Sequence, residues 1–315
     1  MKPTSRRNFI KTSSLAAGAI PFLNTMPSWA FGKDSEKLSV HIFSKHIQFL
    51  DFKEVGQLTA ELGFDGVDLT VRKGGHVEPE KVELELPKAV SAIKKGGSTC
   101  LLMSTDIKDS ASKLDQRVLK SASEEGIQFY RSSWFRYSTT GNLVSELAEY
   151  QQKATDLSLL NKQNNIIGCY QNHPGNYVGA SIWEVKELLK HADLNYFGAQ
   201  YDIRHAVVEG GLSWETGLRL IQENIKTIVL KDFKWGIVNG VWEVIDVPVG
   251  EGMVDFDRYF KLLKMYNINV PVSLHIEYPL FEGDFEVLPL STKKELVTKA
   301  MVQDLNSIQT LWRNA

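Results

Sequence analysis

Short apolar runs that end in polar side chains recur through the second half of this chain. Four of them span residues 166–170, 197–201, 225–230 and 270–276. Their length and their alternation with helical patterns predict buried parallel strands. Each run is followed at once by chemically capable side chains, namely Gln171-Asn172-His173, Asp202, Lys231-Asp232 and Glu277. Because the carboxyl ends of the strands in a closed parallel barrel face one mouth, we expect these side chains to share a site there.

The same alternation extends through the first half of the chain. Apolar runs at 38–43, 66–69, 99–103 and 127–131 alternate with helical patterns at 51–62, 80–95, 111–125 and 142–160. Further helical patterns cover 181–190, 214–223, 256–265 and 292–312. A (β/α)8 barrel takes about 250 residues. The chain of 315 residues therefore predicts a protein of the α/β class, with a single TIM barrel over residues 34–315.

The net charge and the hydropathy of the chain argue against two classes of partner, nucleic acids and membranes. The net charge is −2, and a nucleic-acid-binding domain would instead show clustered Lys and Arg, so we expect no nucleic-acid partner. No run is long and apolar enough to span a bilayer, so we expect no stable membrane anchor. The sequence leaves open whether the chain forms an oligomer.

The N-terminus carries the pattern of an export signal. Arg6 and Arg7 precede a mildly apolar stretch at 13–23, and small residues lead up to Ala30. Paired arginines, a modest apolar region and small residues before a cleavage point are typical of a twin-arginine signal peptide. We therefore predict a signal peptide over residues 1–30 and a periplasmic location for the mature protein.

Short motifs recur in order at the predicted strand ends. The motifs are Leu62-Gly63-Phe64-Asp65-Gly66-Val67-Asp68-Leu69, Gln171-Asn172-His173-Pro174-Gly175, Asp202 with His205, Leu230-Lys231-Asp232-Phe233, Gly250-Glu251-Gly252, and Glu277. Their order and spacing resemble those of the sugar phosphate isomerase/epimerase group of xylose isomerase-like TIM barrels. The resemblance covers residues 38–312, and it implies a small carbohydrate substrate.

The resemblance implies a divalent metal ion, which could be Mn²⁺, Mg²⁺, Co²⁺ or Zn²⁺, held by Glu, Asp, His and Glu from strands five to eight. Asp202 and Glu277 match this pattern. Gln171 stands where the family usually has Glu, and Val229 stands where many members have His. Asp202, Glu277 and Gln171 remain as the metal ligands that the resemblance implies. The two changes weaken such a site, because hard cations prefer carboxylate oxygens.

The chemistry that the resemblance implies is proton abstraction next to a sugar carbonyl, with an enediolate intermediate. Glu277 is the one mapped base, since Gln171 cannot take a proton. A single base favours isomerisation or elimination over epimerisation. His205 would bind a sugar oxygen. Lys231, two residues after Val229 and thus on the same face of its strand, would stabilise the negative charge.

Four further residues are assigned to substrate binding. They are Asn172 and His173 after strand five, Asp68 at strand two, and Trp235 in the long connection 233–253. Two alternatives to the isomerase/epimerase reading stay open. One is a lyase or hydrolase-like enzyme that uses enolate chemistry on an oxidised keto sugar. The other is a non-catalytic carbohydrate-binding barrel, which the lost metal ligands favour.

Overall fold

Eight short parallel strands, almost entirely buried, form the wall of a closed barrel. The computed structural model describes residues 37–315. The barrel strands are β1 (Val40–Phe43), β2 (Gly66–Val71), β3 (Leu102–Thr105), β4 (Phe129–Arg131), β5 (Ile167–Gln171), β6 (Phe197–Asp202) and β7 (Ile225–Leu230), followed after a hairpin of β8 (Asp232–Val238) and β9 (Val241–Val247) by β10 (Val272–Leu274). Around the barrel the order is β1-β10-β7-β6-β5-β4-β3-β2, and β1 pairs with β2 to close it. The predicted (β/α)8 TIM barrel is confirmed.

Helices cover the outside of the barrel, and five of those in the described residues begin at a residue whose side chain caps them. Asp51 accepts a hydrogen bond from the backbone N–H of Glu54 at 2.8 Å, and the Glu54 side chain accepts one from the Asp51 backbone at 3.2 Å. This capping box fixes the start of the first helix. The helices are α1 (Phe52–Glu61), α2 (Val82–Lys95), α3 (Lys113–Glu124), α4 (Leu143–Asn164), α5 (Ile182–Leu188), α6 (Ile203–Gly210), α7 (Trp214–Ile221), α8 (Phe256–Met265) and α9 (Leu290–Asn314).

The interior of the barrel changes from apolar to polar along the strands. Leu102, Phe129 and Cys169 form a small apolar cluster near the amino ends of β3, β4 and β5. Two residues beyond Leu102 on β3, Ser104 Oγ donates a hydrogen bond of 3.1 Å to the buried carboxylate of Asp68, which also accepts one of 2.6 Å from Ser273 Oγ. A buried charge is tolerated where it is hydrogen-bonded. The polar end of the barrel is therefore the end where the strands finish.

The long connection after β7 contains a β-hairpin, which the sequence analysis did not predict. Strands β8 and β9 pair in antiparallel fashion around Asn239 and Gly240, whose φ angles are +50° and +81°. An Asn-Gly pair with positive φ favours the tight turn that joins two antiparallel strands. The turn signal was therefore present in the sequence.

Asp232 ties the far side of this connection to the barrel. Its carboxylate accepts hydrogen bonds from the backbone N–H groups of Gly250 at 3.0 Å, Gly252 at 2.9 Å and Val254 at 3.1 Å. A Cβ atom on Gly252 would lie 2.3 Å from Asp232 Oδ1, which is far inside van der Waals contact. The Lys-Asp and Gly-Glu-Gly motifs are therefore partly a packing requirement of this connection.

The sequence also gave no indication of α6, which begins directly after β6. Asp202 is both the last residue of β6 and the N-cap of α6. Its Oδ1 accepts a hydrogen bond from the backbone N–H of His205 at 3.0 Å. The helix is short and follows its strand with no intervening turn. Its hydrophobic pattern therefore cannot be distinguished in the sequence from that of the strand.

Two further predictions concern the N-terminal signal peptide and the absence of a membrane anchor. The signal peptide predicted for residues 1–30 lies outside the described residues. Within residues 37–315, no helix combines the length and the apolar character that crossing a membrane requires.

Candidate active site

A cavity of about 210 Å³ lies at the barrel mouth where the strands end. Arg131 and Gln171 are the last residues of β4 and β5. Lys231 directly follows β7, and Glu277 lies three residues beyond β10. The cavity wall is completed by Phe43, Lys45, Arg72, Trp134, His173, Pro174, Arg204, His205 and His275.

Asp202 forms the buried floor beside this cavity. Its side chain has no exposed surface, and its Oδ2 accepts a hydrogen bond from Gln171 Nε2 at 2.8 Å. Burial alone would raise the pKa of Asp202. The nearby His205 and the ammonium of Lys231 outweigh this effect and hold the pKa below its ordinary value. Asp202 is therefore a fixed negative charge rather than a proton carrier.

Lys231 connects the two carboxylates of the site. Its Nζ lies 2.8 Å from Glu277 Oε2 and 3.3 Å from Asp202 Oδ2. Burial would raise the pKa of Glu277, but the charge of Lys231, together with His275, lowers it far below its ordinary value. Glu277 keeps 28% of its side-chain surface exposed while Lys231 keeps 5%. Glu277 is thus the ionised carboxylate that a bound molecule can reach.

His205 is held as a neutral imidazole in a defined tautomer. Burial lowers the pKa of His205 well below its ordinary value. Its Nδ1 lies 2.8 Å from the backbone oxygen of Asn172, which can only accept, so Nδ1 carries the hydrogen. The Nε2 atom is then an acceptor, and the ring forms part of the cavity wall.

Two further histidines surround Glu277. The His275 ring stacks on Phe43 with centroids 4.2 Å apart, and its Nδ1 lies 3.5 Å from Glu277 Oε1. The Nε2 atom of His46 accepts a hydrogen bond from the backbone N–H of Ile276 at 3.0 Å. Burial lowers the pKa of His275 and lowers that of His46 to about 3, in the latter with a further contribution from His275. Both rings are therefore neutral supports for the segment that carries Glu277.

Some residues predicted to bind substrate lie behind or beside the cavity. Asn172 clamps the backbone of Asp202, since its Nδ2 donates to the Asp202 oxygen at 3.0 Å and its Oδ1 accepts from the Asp202 N–H at 2.8 Å. Asp68 lies deeper in the barrel. Trp235 is on β8 with 42% of its surface exposed and does not form part of the cavity wall. His173 does reach the wall, between the rings of Trp134 and His205.

Sequence reasoning identified Lys231 but not the arginines of the mouth. Arg72 directly follows β2, and Arg131 is the last residue of β4. Arg204, on α6, forms an ion pair of 2.5 Å with Asp246 of the hairpin. The available signal was a basic residue at the end of a strand, but such residues are also common on protein surfaces. Only the closed barrel turns them toward one cavity.

The side chains at the four implied metal positions do not fit a divalent cation as they stand. Val229 offers only an alkyl group, and Gln171 directs its amide nitrogen at Asp202. The ammonium of Lys231 occupies the space between the two carboxylates, where it would repel a second cation. In the described part of the chain, no group of three or more His, Cys, Asp or Glu side chains is placed to hold a metal ion.

Comparison with known proteins identifies relatives of the whole barrel. The profile of the family described as xylose isomerase-like TIM barrel matches residues 57–296. No curated protein matches the chain. Similar solved structures include D-psicose 3-epimerase with D-tagatose from Clostridium cellulolyticum H10, with a TM-score of 0.64 and 13% identity over 87% of this chain and 99% of that chain.

Two other solved structures have the same fold at comparable distance. A probable 3-DHS dehydratase involved in petrobactin synthesis from Bacillus anthracis has a TM-score of 0.61 and 14% identity over 84% of this chain and 97% of that chain. A xylose isomerase-like TIM barrel protein from Mycobacterium smegmatis, in complex with magnesium, has a TM-score of 0.62 and 10% identity over 88% of this chain and 98% of that chain. Proteins with this fold thus include a sugar epimerase, a probable dehydratase and a protein solved in complex with magnesium.

Proposed function

This chain belongs to the xylose isomerase-like TIM barrel family, and on that premise we propose that it is a carbohydrate-active enzyme of the isomerase/epimerase type that abstracts a proton next to a sugar carbonyl. The observation that carries the proposal is the contact of 2.8 Å between Lys231 Nζ and Glu277 Oε2 at the wall of the mouth cavity. A carboxylate base beside a buried ammonium is the pair that such a reaction needs.

In the proposed reaction, Lys231 and Glu277 act on neighbouring atoms of the substrate. Lys231 donates a hydrogen bond to the carbonyl oxygen, and Glu277 takes the proton from the adjacent carbon. The electron pair of that C–H bond forms the enediolate double bond, and the negative charge that develops on oxygen is stabilised by the ammonium.

The lowered pKa of Glu277 makes it a weak base before the substrate binds. The cause is largely Lys231, since the ion pair outweighs the burial that would otherwise raise the pKa. When the substrate oxygen takes over hydrogen bonds from Lys231, Glu277 loses part of this stabilisation and its basicity rises. Binding of the correct substrate and activation of the base are therefore coupled.

In the same proposal, His205 transfers a proton between the two substrate oxygens. Its neutral Nε2 accepts the proton of the neighbouring hydroxyl and returns it to the former carbonyl oxygen. Glu277, whose side chain is 28% exposed, exchanges the proton that it has taken with water and then gives a proton to the second carbon. The result is an isomerisation between aldose and ketose with no net loss of atoms. No step passes through a metal ion, because the side chains at the implied metal positions do not suit one.

Elimination on an oxidised keto sugar is the second candidate. Glu277 is the single carboxylate among the cavity-wall side chains in the described residues, and a single base is enough to start the loss of a leaving group from the carbon next to the enolate. A dehydratase of the same fold is consistent with such chemistry. Isomerisation gives a product of the same mass, whereas elimination releases the leaving group.

We predict that Glu277→Gln abolishes turnover, because the amide cannot accept the proton. Loss of a general base typically costs about 10²- to 10⁴-fold in rate. The measurement is product formation by nuclear magnetic resonance and mass spectrometry on a panel of aldoses, ketoses, keto sugars and uronates.

The matched control is Glu243→Gln, the same chemical change at an exposed position of β9, which should leave the rate unchanged. Turnover by Glu277→Gln within about threefold of wild type would show that another residue is the base. Binding of a sugar without turnover of any panel member would favour the non-catalytic carbohydrate-binding barrel.

A further inference from the structure

The cavity wall carries more positive charge than the proposed reaction uses. Two of its cations are neutralised by ion pairs, Lys231 with Glu277 and Asp202, and Arg204 with Asp246. The remaining cations of the wall form no ion pair with a carboxylate among residues 37–315. They are Lys45, Arg72 and Arg131.

Of these three cations, Arg131 has the greatest need of an anionic partner, because it is almost completely buried, with 3% of its surface exposed. Within the described part of the chain, its guanidinium makes only long hydrogen bonds, from Nη1 to the Ser132 oxygen at 3.4 Å and from Nη2 to the Thr105 oxygen at 3.5 Å. A guanidinium has five N–H donors. A buried charge with unused donors costs free energy unless a partner satisfies it, so this arrangement is suited to an anion that enters the cavity.

Arg72 adds a second positive charge, which acts on Arg131. Its Cζ lies 5.5 Å from the centroid of Phe43, and it forms part of the same cavity wall. Burial, and then the charge of Arg72, lower the pKa of Arg131 to about 10. Arg131 is still protonated near neutral pH, and a negative charge placed between the two side chains would relieve their repulsion.

The barrel places Arg131 across the cavity from the proposed base. Arg131 ends β4 and Glu277 follows β10, and three strands separate β4 from β10 in either direction around the barrel. The cavity between them, about 210 Å³, is smaller than the pockets that hold drug-sized ligands. It suits one monosaccharide that contacts both sides at once.

On the premise of the proposed function, we infer that the substrate is a sugar acid whose carboxylate binds Arg131 and Arg72 while its carbonyl carbon faces Glu277 and Lys231. The Arg131 guanidinium lies over the Trp134 ring with Cζ 4.2 Å from the ring centroid, so the ring covers one face and the planar N–H edge stays available. That edge matches the two coplanar oxygens of a carboxylate.

Calorimetric titration of the full chain with D-galacturonate and D-glucuronate, each beside its neutral counterpart D-galactose or D-glucose, tests the inference. We expect the wild type to bind at least one uronate more tightly than the neutral sugar. Arg131→Gln should weaken uronate binding by about 10- to 100-fold, the usual value of hydrogen bonds to charged groups, and should change neutral-sugar binding far less. Arg131→Lys should restore part of the affinity, because lysine keeps the positive charge. The recovery should be incomplete, because lysine lacks the paired N–H donors of the guanidinium.

Arg72→Gln provides a second variant in case Arg131→Gln does not fold, which circular dichroism would reveal. It should also weaken uronate binding selectively. Arg219→Gln, at an exposed position of α7, is the matched control and should have no effect. Equal binding of uronates and neutral sugars, or uronate binding unchanged in both variants, would overturn the inference. So would binding of D-galactose 6-phosphate that depends on Arg131 where neither uronate binds.

The inference and the proposed function can fail separately. Uronate binding that depends on Arg131, with no turnover by the wild type, would support the anion site and contradict the reaction. Turnover of neutral sugars that depends on Glu277 and is unaffected by Arg131→Gln would support the reaction and contradict the anion site.

Discussion

At the scale of single residues, Lys231 is the side chain that balances the negative charge at the barrel mouth. Its ammonium contacts both Glu277 and Asp202, the two carboxylates that the family resemblance assigns to a metal ion. One side chain therefore stabilises both carboxylates in the free protein and, under the proposed function, also stabilises the oxygen anion that forms in the reaction.

Two substitutions can introduce the full set of metal ligands that the family resemblance implies. Gln171→Glu combined with Val229→His restores the family's four ligands around Asp202 and Glu277. Val229 pairs with Asp202 in the register of β6 and β7, so the new imidazole would lie beside the carboxylate. We predict that the double variant binds Mn²⁺ at least about tenfold more tightly than wild type, which corresponds to about 1.4 kcal/mol.

Lys231→Met in the same background should tighten Mn²⁺ binding further, because it removes the competing ammonium. Calorimetric titration with Mn²⁺ on wild type, double and triple variants provides the measurement. Tight binding by the wild type would show that Lys231 yields to a metal ion in solution. The absence of any gain in both variants would show that the ligand positions on β5 and β7 are mapped incorrectly.

At the scale of secondary-structure elements, the sequence predicted the barrel strands and most helices, because each strand is a short buried run and most helices have clear boundaries. It did not predict α6, whose N-cap Asp202 is also the end of β6, or the hairpin. The anion-binding side of the mouth was also missed, because no local pattern shows that Arg72 and Arg131 face one cavity. Those features depend on how the closed barrel orients residues that are distant in sequence.

A buried acid on α9 gives a prediction at the same scale. Burial raises the pKa of Asp304 to about 7, although a hydrogen bond from the Val249 N–H opposes this. A carboxyl group with a raised pKa holds its proton more tightly in the folded state. Its ionisation therefore destabilises the fold progressively between about pH 4 and pH 7, by of the order of 4 kcal/mol at most.

We therefore expect Asp304→Asn to raise the melting temperature at pH 8 and to leave it nearly unchanged at pH 4. The amide keeps the oxygen that accepts from Val249 and carries no charge. Thermal unfolding followed by circular dichroism at both pH values tests this, with Glu295→Gln on the exposed face of α9 as the control. A lower melting temperature than wild type at pH 8 would contradict it.

At the scale of the whole molecule, we propose that the barrel is an exported protein. The proposal depends on Arg6 and Arg7, which lie outside the described residues. Changing both to Lys should leave a longer precursor in the cytoplasm, because the twin-arginine route recognises the pair. Cell fractionation and N-terminal sequencing provide the measurement, and the wild-type mature chain should begin just after Ala30. Normal export of the double variant would contradict the periplasmic location.

The barrel as a whole brings a base, an ammonium and an anion-binding pair to one small cavity, and the central claim is that this cavity removes a carbon-bound proton. Incubation of the protein with the panel of sugars and uronates in D₂O, followed by proton nuclear magnetic resonance, measures this step directly. We predict loss of the signal of the hydrogen next to the carbonyl with wild type, and retention of that signal with Glu277→Gln. Exchange at an equal rate in both proteins, or product formation by the wild type without any exchange, would contradict the claim.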